Sequence, residues 1–310
     1  MMTPPSPSGR PLNVVWSRQG ITLVLESYFI HDCLMAATGR PLKVHFWHEP
    51  QERPFLDDMV VVMLGPDDTG YLAECRRRGC RNLTLFHLGD EKGEFDLGFY
   101  THADRVIRNY FFPHIVGAMT SGAGTPVVWM PNGYRTGIGP RGTSGLLPAS
   151  QRDMTGFFSG MIHGDSAPAR QAMIQVIQQR NLPCSLFGSR SFGGGFGPSE
   201  YALRLENSVF GLVPMGNSVE TIRLYDCLEL GTIPIMLQAE FLTHPLALGG
   251  VPFPVLERWE DLEPLLAPYR DRNDPAAAAR LDALQTRVIA WWSGIKAAKI
   301  AELSRLLRTA

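Results

Sequence analysis

Arg223 and Asp226 stand three residues apart in a 310-residue chain, a few positions beyond a Pro-x-Gly turn. A guanidinium forks onto phosphate oxygens, and a carboxylate accepts hydrogen bonds from sugar hydroxyls. Together the two suit a ligand carrying both groups. The same spacing also fits an ordinary solvated helix pair worth roughly 0.2–0.5 kcal/mol. Their setting is therefore what matters. Residues 208–213 (SVFGLV) read as a buried strand that Pro214, Gly216 and Asn217 bring to an end, since proline removes a ladder donor and glycine and asparagine tolerate turn dihedrals. Ser218 is placed to cap a helix over 219–230, with Glu220 and Thr221 in or beside its first turn. Gly231 stops that helix before a second strand at 233–237. In an open α/β sheet, the loop beyond a strand's carboxyl end, next to free helix N–H groups, is where phosphate binds.

The run FGLVPMGNSVETIRLYDCLELGTIPIML resembles the C-terminal signature of the exostosin-like glycosyltransferases. Pro214, Gly216, Ser218, Arg223, Leu224, Leu228, Gly231, Ile233, Pro234 and Ile235 match it. Asp226 takes the place where that family usually has Glu, and Glu220 and Thr221 stand where it has Ser or Ala. Upstream, MTGFFSG at 154–160 and Arg170 beyond it resemble the family's F-F-x-G strand and the Arg-bearing helix that follows. The resemblance implies an α/β, GT-B-like fold, two Rossmann-like domains facing across a cleft. It also implies transfer of a sugar from a nucleotide donor to a carbohydrate acceptor in glycan or surface polysaccharide synthesis. UDP-sugar is the favoured donor and inversion the favoured outcome. Arg223, the backbone N–H groups of Gly216 and Asn217, and the helix start at Ser218 to Thr221 would stabilise the leaving diphosphate, beside Pro214 and Glu220. Asp226 would accept from the ribose.

His163 and Arg170 follow the first strand of the second half and can reach a donor phosphate; the competing reading is a capping Asp165 or Ser166 with His163 merely exposed. An acceptor hydroxyl needs a base, or at least a hydrogen-bond acceptor. The candidates are Glu26, His31 and Asp32 in ESYFIHD, Glu49 after the strand ending in WHE, and Asp104 in HADR. Glu49, Asp32 and Glu26 are carried forward as possible bases beside Arg223. A protein that binds a nucleotide sugar or a glycan without turning it over is the alternative, since no single one of these acids compels.

Length and rhythm supply the frame. Strands are expected at 12–16, 43–47, 59–64, 83–88, 105–107 and 127–129, with a helix at 67–78, and again at 154–158, 185–187, 209–213 and 233–237, with helices at 167–179 and 199–205. Between them, 131–149 is rich in Gly and Pro without periodicity and marks a linker or a loop lining the site. The chain thus divides into a disordered lead at 1–10, an acceptor-side α/β domain at 11–140, a nucleotide-sugar domain at 141–275, and helices at 276–310. Trp291 and Trp292 in this last segment would anchor it back on the first domain.

A formal charge of -1 leaves no field to hold nucleic acid, and Arg76 to Arg78 with Arg81 read as a solvated helix end. Five Cys without pairing motifs read as reduced thiols, and no His/Cys spacing or D-x-D triad offers a metal site. The first strand is followed by SRQG, not the glycine turn of a nicotinamide enzyme. The loop FGGGFG lacks the Lys-Ser/Thr of a P-loop and serves either close backbone approach or packing. With no apolar run of membrane-spanning length and no signal sequence, the chain reads as cytoplasmic, with a place at the inner face of a membrane open to it.

Overall fold

The computed structural model describes residues 9–17, 25–64, 69–120, 124–142, 145–164, 167–190, 195–271 and 274–308. Outside them lie most of the 1–10 lead, Asp67 and Asp68 at the head of the expected 67–78 helix, Asp165 and Ser166, and residues 192–194 of the glycine-rich loop. Two compact units are present, Met1–Asn132 with Lys296–Ala310, and Gly133–Ile295.

In the first unit β1 (Leu12–Ser17) leads to α1 (Ser27–Thr38), then β2 (Leu42–Trp47), β3 (Met59–Met63), α2 (Thr69–Arg77), β4 (Leu83–His87), β5 (Arg105–Arg108), α3 (Pro113–Thr120) and β6 (Val127–Trp129). All strands pair in parallel, in the order β2-β1-β3-β4-β5-β6. Every expected strand is found, each bound within one residue of its place. The reason is composition: Val14, Val15, Val60 and Val61 are almost wholly buried. Only a parallel sheet covered on both faces asks for such unbroken β-branched runs.

The second unit repeats the rhythm with β7 (Met154–Met161), α4 (Ala167–Gln179), β8 (Cys184–Ser189), α5 (Pro198–Glu206), β9 (Ser208–Leu212), α6 (Ile222–Glu229), β10 (Ile233–Leu237), α7 (Glu240–Thr243), β11 (Val255–Leu256), α8 (Leu262–Leu266) and α9 (Pro275–Arg308). The sheet is again parallel, ordered β11-β10-β9-β7-β8. β7 runs three residues further than its sequence suggests, and β11 was not expected. α6 starts at Ile222 rather than 219, because the Ser218 hydroxyl accepts the Glu220 N–H at 3.2 Å and turns the chain before the helix begins. Gly231 closes α6 with φ of 63°, a conformation that favours glycine.

α9 belongs to the second unit up to Ile295 and to the first from Lys296. Both of the paired tryptophans touch residues of the second unit. The Trp292 indole N–H donates to Glu229 at 2.9 Å and its ring lies 5.6 Å from that of Tyr225, while Trp291 lies edge-on to Phe253 at 5.9 Å. A buried indole N–H needs an acceptor, and α6 supplies one. Among the described residues no helix is long and apolar enough to cross a membrane.

Candidate functional site

In both sheets the chain adds its second strand on one side of the first and its third on the other. Loops leaving the carboxyl ends of those two neighbours therefore part, and a crevice opens between them. In the second unit that point lies between β7 and β9. The loops beside it are the one after Met161 and the one from Val213 to Thr221, which carry the resemblance described above.

Arg223, on the first turn of α6, is 7% exposed. Its Nε and Nη2 both donate to one carbonyl, that of Ser159 on β7, at 3.1 and 2.9 Å, and its guanidinium carbon lies 4.8 Å from the centre of the Phe158 ring. This approach requires Gly160, where a Cβ would stand 2.3 Å from the Arg223 Nη2. Arg170, on α4, donates through Nη1 to the Met161 carbonyl at the end of the same strand, while its Nε is buried with no partner among the described residues. A Cβ at Gly216 would lie 3.3 Å from the Arg170 Nη2 and 3.5 Å from the Thr221 methyl, so the three residues meet. The Thr221 hydroxyl, at the N-cap of α6, is likewise buried and unpartnered.

Neither arginine has a carboxylate partner among the described residues. Burial holds the Arg170 guanidinium down to about 10, and the Arg223 charge pushes the same way. Arg223 is lowered too, first by its own burial. Arg170 and Arg223 hold carbonyls two residues apart near the end of β7, and Arg170 and Thr221, each with an idle donor, meet at Gly216 beside the start of α6, an arrangement suited to an anion.

The acids of the segment face elsewhere. Asp226 is wholly buried, accepting the Arg135 backbone N–H at 3.0 Å and its Nε at 2.7 Å. Burial pushes its carboxyl up, against the pull of the Arg135 charge. Glu229 accepts the Arg141 N–H at 2.7 Å, and buried Glu220 accepts the Tyr225 hydroxyl at 2.7 Å. Arg223 and Asp226 thus do not pair with each other, although one turn of helix carries both. Pro214 and Gly216 are buried in the loop, Asn217 is exposed, and His163 is exposed just after β7. Arg135 escaped notice because it lies in the glycine-rich stretch read as a linker.

In the first unit the acids considered for base duty are scattered. Glu49 is exposed and its carboxylate caps the short turn Pro50–Glu52, whose Glu52 returns the bond to the Glu49 N–H at 3.2 Å. It follows β2, the outermost strand, one place away from the β1/β3 parting. Glu26 is the N-cap residue of α1, half-buried, and Asp32 lies on the same helix, also half-buried. His31 accepts the Trp16 indole N–H through Nε2 at 3.0 Å, and burial lowers its pKa against the opposing Asp32 charge. Asp104 sits before β5, at the amino edge, bound to Arg76 at 2.6 Å and to the Leu83 N–H at 2.7 Å. Parallel α/β sheets bind ligands at the other edge. Among the described residues no group of three or more His, Cys, Asp and Glu is placed to hold a metal ion.

No protein-family model and no curated protein matches the sequence. Solved structures do resemble it. An O-GlcNAc transferase from Thermobaculum terrenum aligns over 98% of this chain and 68% of its own, with a TM-score of 0.50 at 12% identity. A sucrose-phosphate synthase from Thermosynechococcus elongatus aligns over 96% and 99%, with 0.49 at 12% identity. An α1,3-fucosyltransferase crystallised with GDP aligns over 96% and 92%, with 0.45 at 13% identity. At such identity the first likeness is one of fold. Taken with the two sheets, it makes this chain an α/β protein of two parallel-sheet, Rossmann-like units, an architecture consistent with the GT-B fold.

Proposed function

We propose that the protein is a glycosyltransferase that moves a sugar from a nucleotide donor, with the donor's diphosphate seated at the β7/β9 parting. One observation carries this reading: Arg170 and Arg223 hold carbonyls two residues apart near the end of β7 with no carboxylate bonded to either among the described residues, Arg170 reaching Gly216 beside the start of α6. Negative charge builds on the departing diphosphate as the glycosidic bond breaks. Cations already held in place stabilise that charge without reorganising, an effect of about 2–4 kcal/mol for a single good donor. Two guanidiniums balance the charge of a diphosphate bridge, which favours metal-independent transfer. The exostosin-like signature favours a UDP-sugar, a carbohydrate acceptor in glycan or surface polysaccharide synthesis, and inversion. The acceptor is assigned to the first unit, with Glu26, Asp32 or Glu49 as base, and the five Cys read as reduced thiols favour a cytoplasmic enzyme that can work at the inner face of a membrane.

The test is hydrolysis and transfer across UDP-, GDP- and CMP-sugars, with and without chelator. Release of the nucleoside diphosphate that survives chelation is expected, and silence with every donor would overturn the reading. A second reading, binding of a nucleotide sugar or glycan without turnover, is favoured by one feature of the first unit. Two of its polar candidates are already committed, Glu49 to capping a turn and His31 to the Trp16 indole. Tight binding of UDP-sugar with no product on any glycan acceptor would select it.

A further inference from the structure

Tyr201 stands on α5, is 3% exposed, and its hydroxyl is buried without a partner among the described residues. Buried hydroxyls are rarely left so, because each costs the desolvation it fails to recover. Packing fixes the ring from two sides. Phe157 of β7 lies 6.1 Å away at 54°, and the Arg135 guanidinium carbon stands 4.4 Å over its face. Phe157 is two residues before Ser159, whose carbonyl holds Arg223, so the ring rests on the stretch of strand that positions the arginine. Burial drives the phenol pKa far up, while the charges of Arg135 and Arg223 pull it down and that of Asp226 pushes it up. The group therefore stays protonated.

What surrounds it explains the missing bond. Arg135 and Arg223 are donors only, Asp226 turns its oxygens to Arg135, and no described acceptor lies within hydrogen-bond reach of the Tyr201 hydroxyl. A buried proton donor with no acceptor in reach is free to give its bond to a ligand. Resting on the reading of the Arg170/Arg223 crevice as a diphosphate seat, we propose that the Tyr201 hydroxyl donates to a phosphate oxygen of the bound nucleoside diphosphate, as a binding residue next to Arg223.

Tyr201→Phe removes one oxygen and keeps the ring beneath Arg135. Calorimetric titration of UDP and GDP into the wild type, Tyr201→Phe and Arg223→Ala, with thermal unfolding of each ligand-free protein, tests the assignment. Expected for Tyr201→Phe are an unchanged or higher melting temperature and affinity about 10- to 100-fold weaker for whichever diphosphate the wild type binds. Affinity equal to wild type in Tyr201→Phe, with a loss in Arg223→Ala, would overturn the role of the hydroxyl and leave the seat standing. A melting temperature lowered by several degrees would make the hydroxyl structural and overturn it too. Failure of the wild type to bind either diphosphate would overturn the seat and the hydroxyl together.

Discussion

Arg108 and Arg223 are both buried near the carboxyl edge of a parallel sheet, one in each unit, and they are dressed differently. Arg108, wholly buried at the end of β5, donates to the Asp90 carboxylate at 3.2 Å, the Asn109 carbonyl at 3.2 Å and the Tyr100 hydroxyl at 3.4 Å. Asp90 in turn accepts the Glu94 N–H at 2.9 Å, and the Tyr100 hydroxyl meets the His87 Nδ1 at 2.7 Å. Arg223 has one carbonyl. Buried Arg152 too is satisfied more fully, donating to the carbonyls of Ser208 and Leu230 and to the Thr232 hydroxyl at 2.9–3.0 Å. A buried cation whose neighbours are complete ties loops together. One whose neighbours are incomplete is where a ligand's charge fits.

The sharpest way to break that contrast is to remove each side chain and ask what is lost. Arg108→Ala leaves Asp90 buried and unpaired and should lower stability by about 3–5 kcal/mol in urea unfolding. Arg223→Ala should leave a folded protein with donor turnover reduced roughly 30- to 1,000-fold, the equivalent of about 2–4 kcal/mol in the transition state. If Arg223→Ala instead unfolds as readily as Arg108→Ala, the two arginines are alike and the contrast fails.

Acid should sharpen it from the other side. Burial holds His87 down to about 4, with the Arg108 charge acting in the same direction and Asp90 against it. Because the folded pKa lies below the unfolded value of about 6.5, the unfolded chain binds more protons between those limits. The stability contributed by neutral His87 is therefore complete above about pH 6.5 and is lost as pH falls toward 4, amounting to about 3 kcal/mol. A stability profile recorded from pH 7 to 4 should show this slope, and His87→Phe should flatten it. Smallest is the effect of Asp226→Asn, which weakens the clasp on Arg135 and should cost about 1–3 kcal/mol. Faster hydrogen exchange at the Arg135 amide would mark the loop it releases. Unchanged exchange there, with weaker UDP binding, would return Asp226 to the ribose role its place in the signature suggests.

The strands were legible because each demands a local run of β-branched or aromatic residues between turn formers. Residues 233–237 and the helix 167–179 are read to the residue. β11, two residues long, is too short to leave a pattern. The start of α6 was misread since a serine before an amphipathic run looks like a cap whether its hydroxyl serves the helix or a preceding turn. The Asp226 clasp was invisible for a different reason: its partner lies 91 positions away, and no spacing rule spans that distance. Arg170 and Arg223 each stand out singly, as part of a family-like segment, yet it is the carbonyls near the end of β7 that bring them to the same place.

The grip on Arg223 comes from the main chain, and a substitution scan would register it in an unusual way. Every replacement of Ser159 keeps the carbonyl oxygen that holds the guanidinium, so that column of the scan would look permissive. The column beside it would not. At Gly160 even one methyl meets the tip of the Arg223 side chain at 2.3 Å, and since that tip is flexible the arginine yields before the strand does. Gly160→Ala would evict the cation from its perch while preserving every charge in the protein, separating where the arginine stands from what it carries.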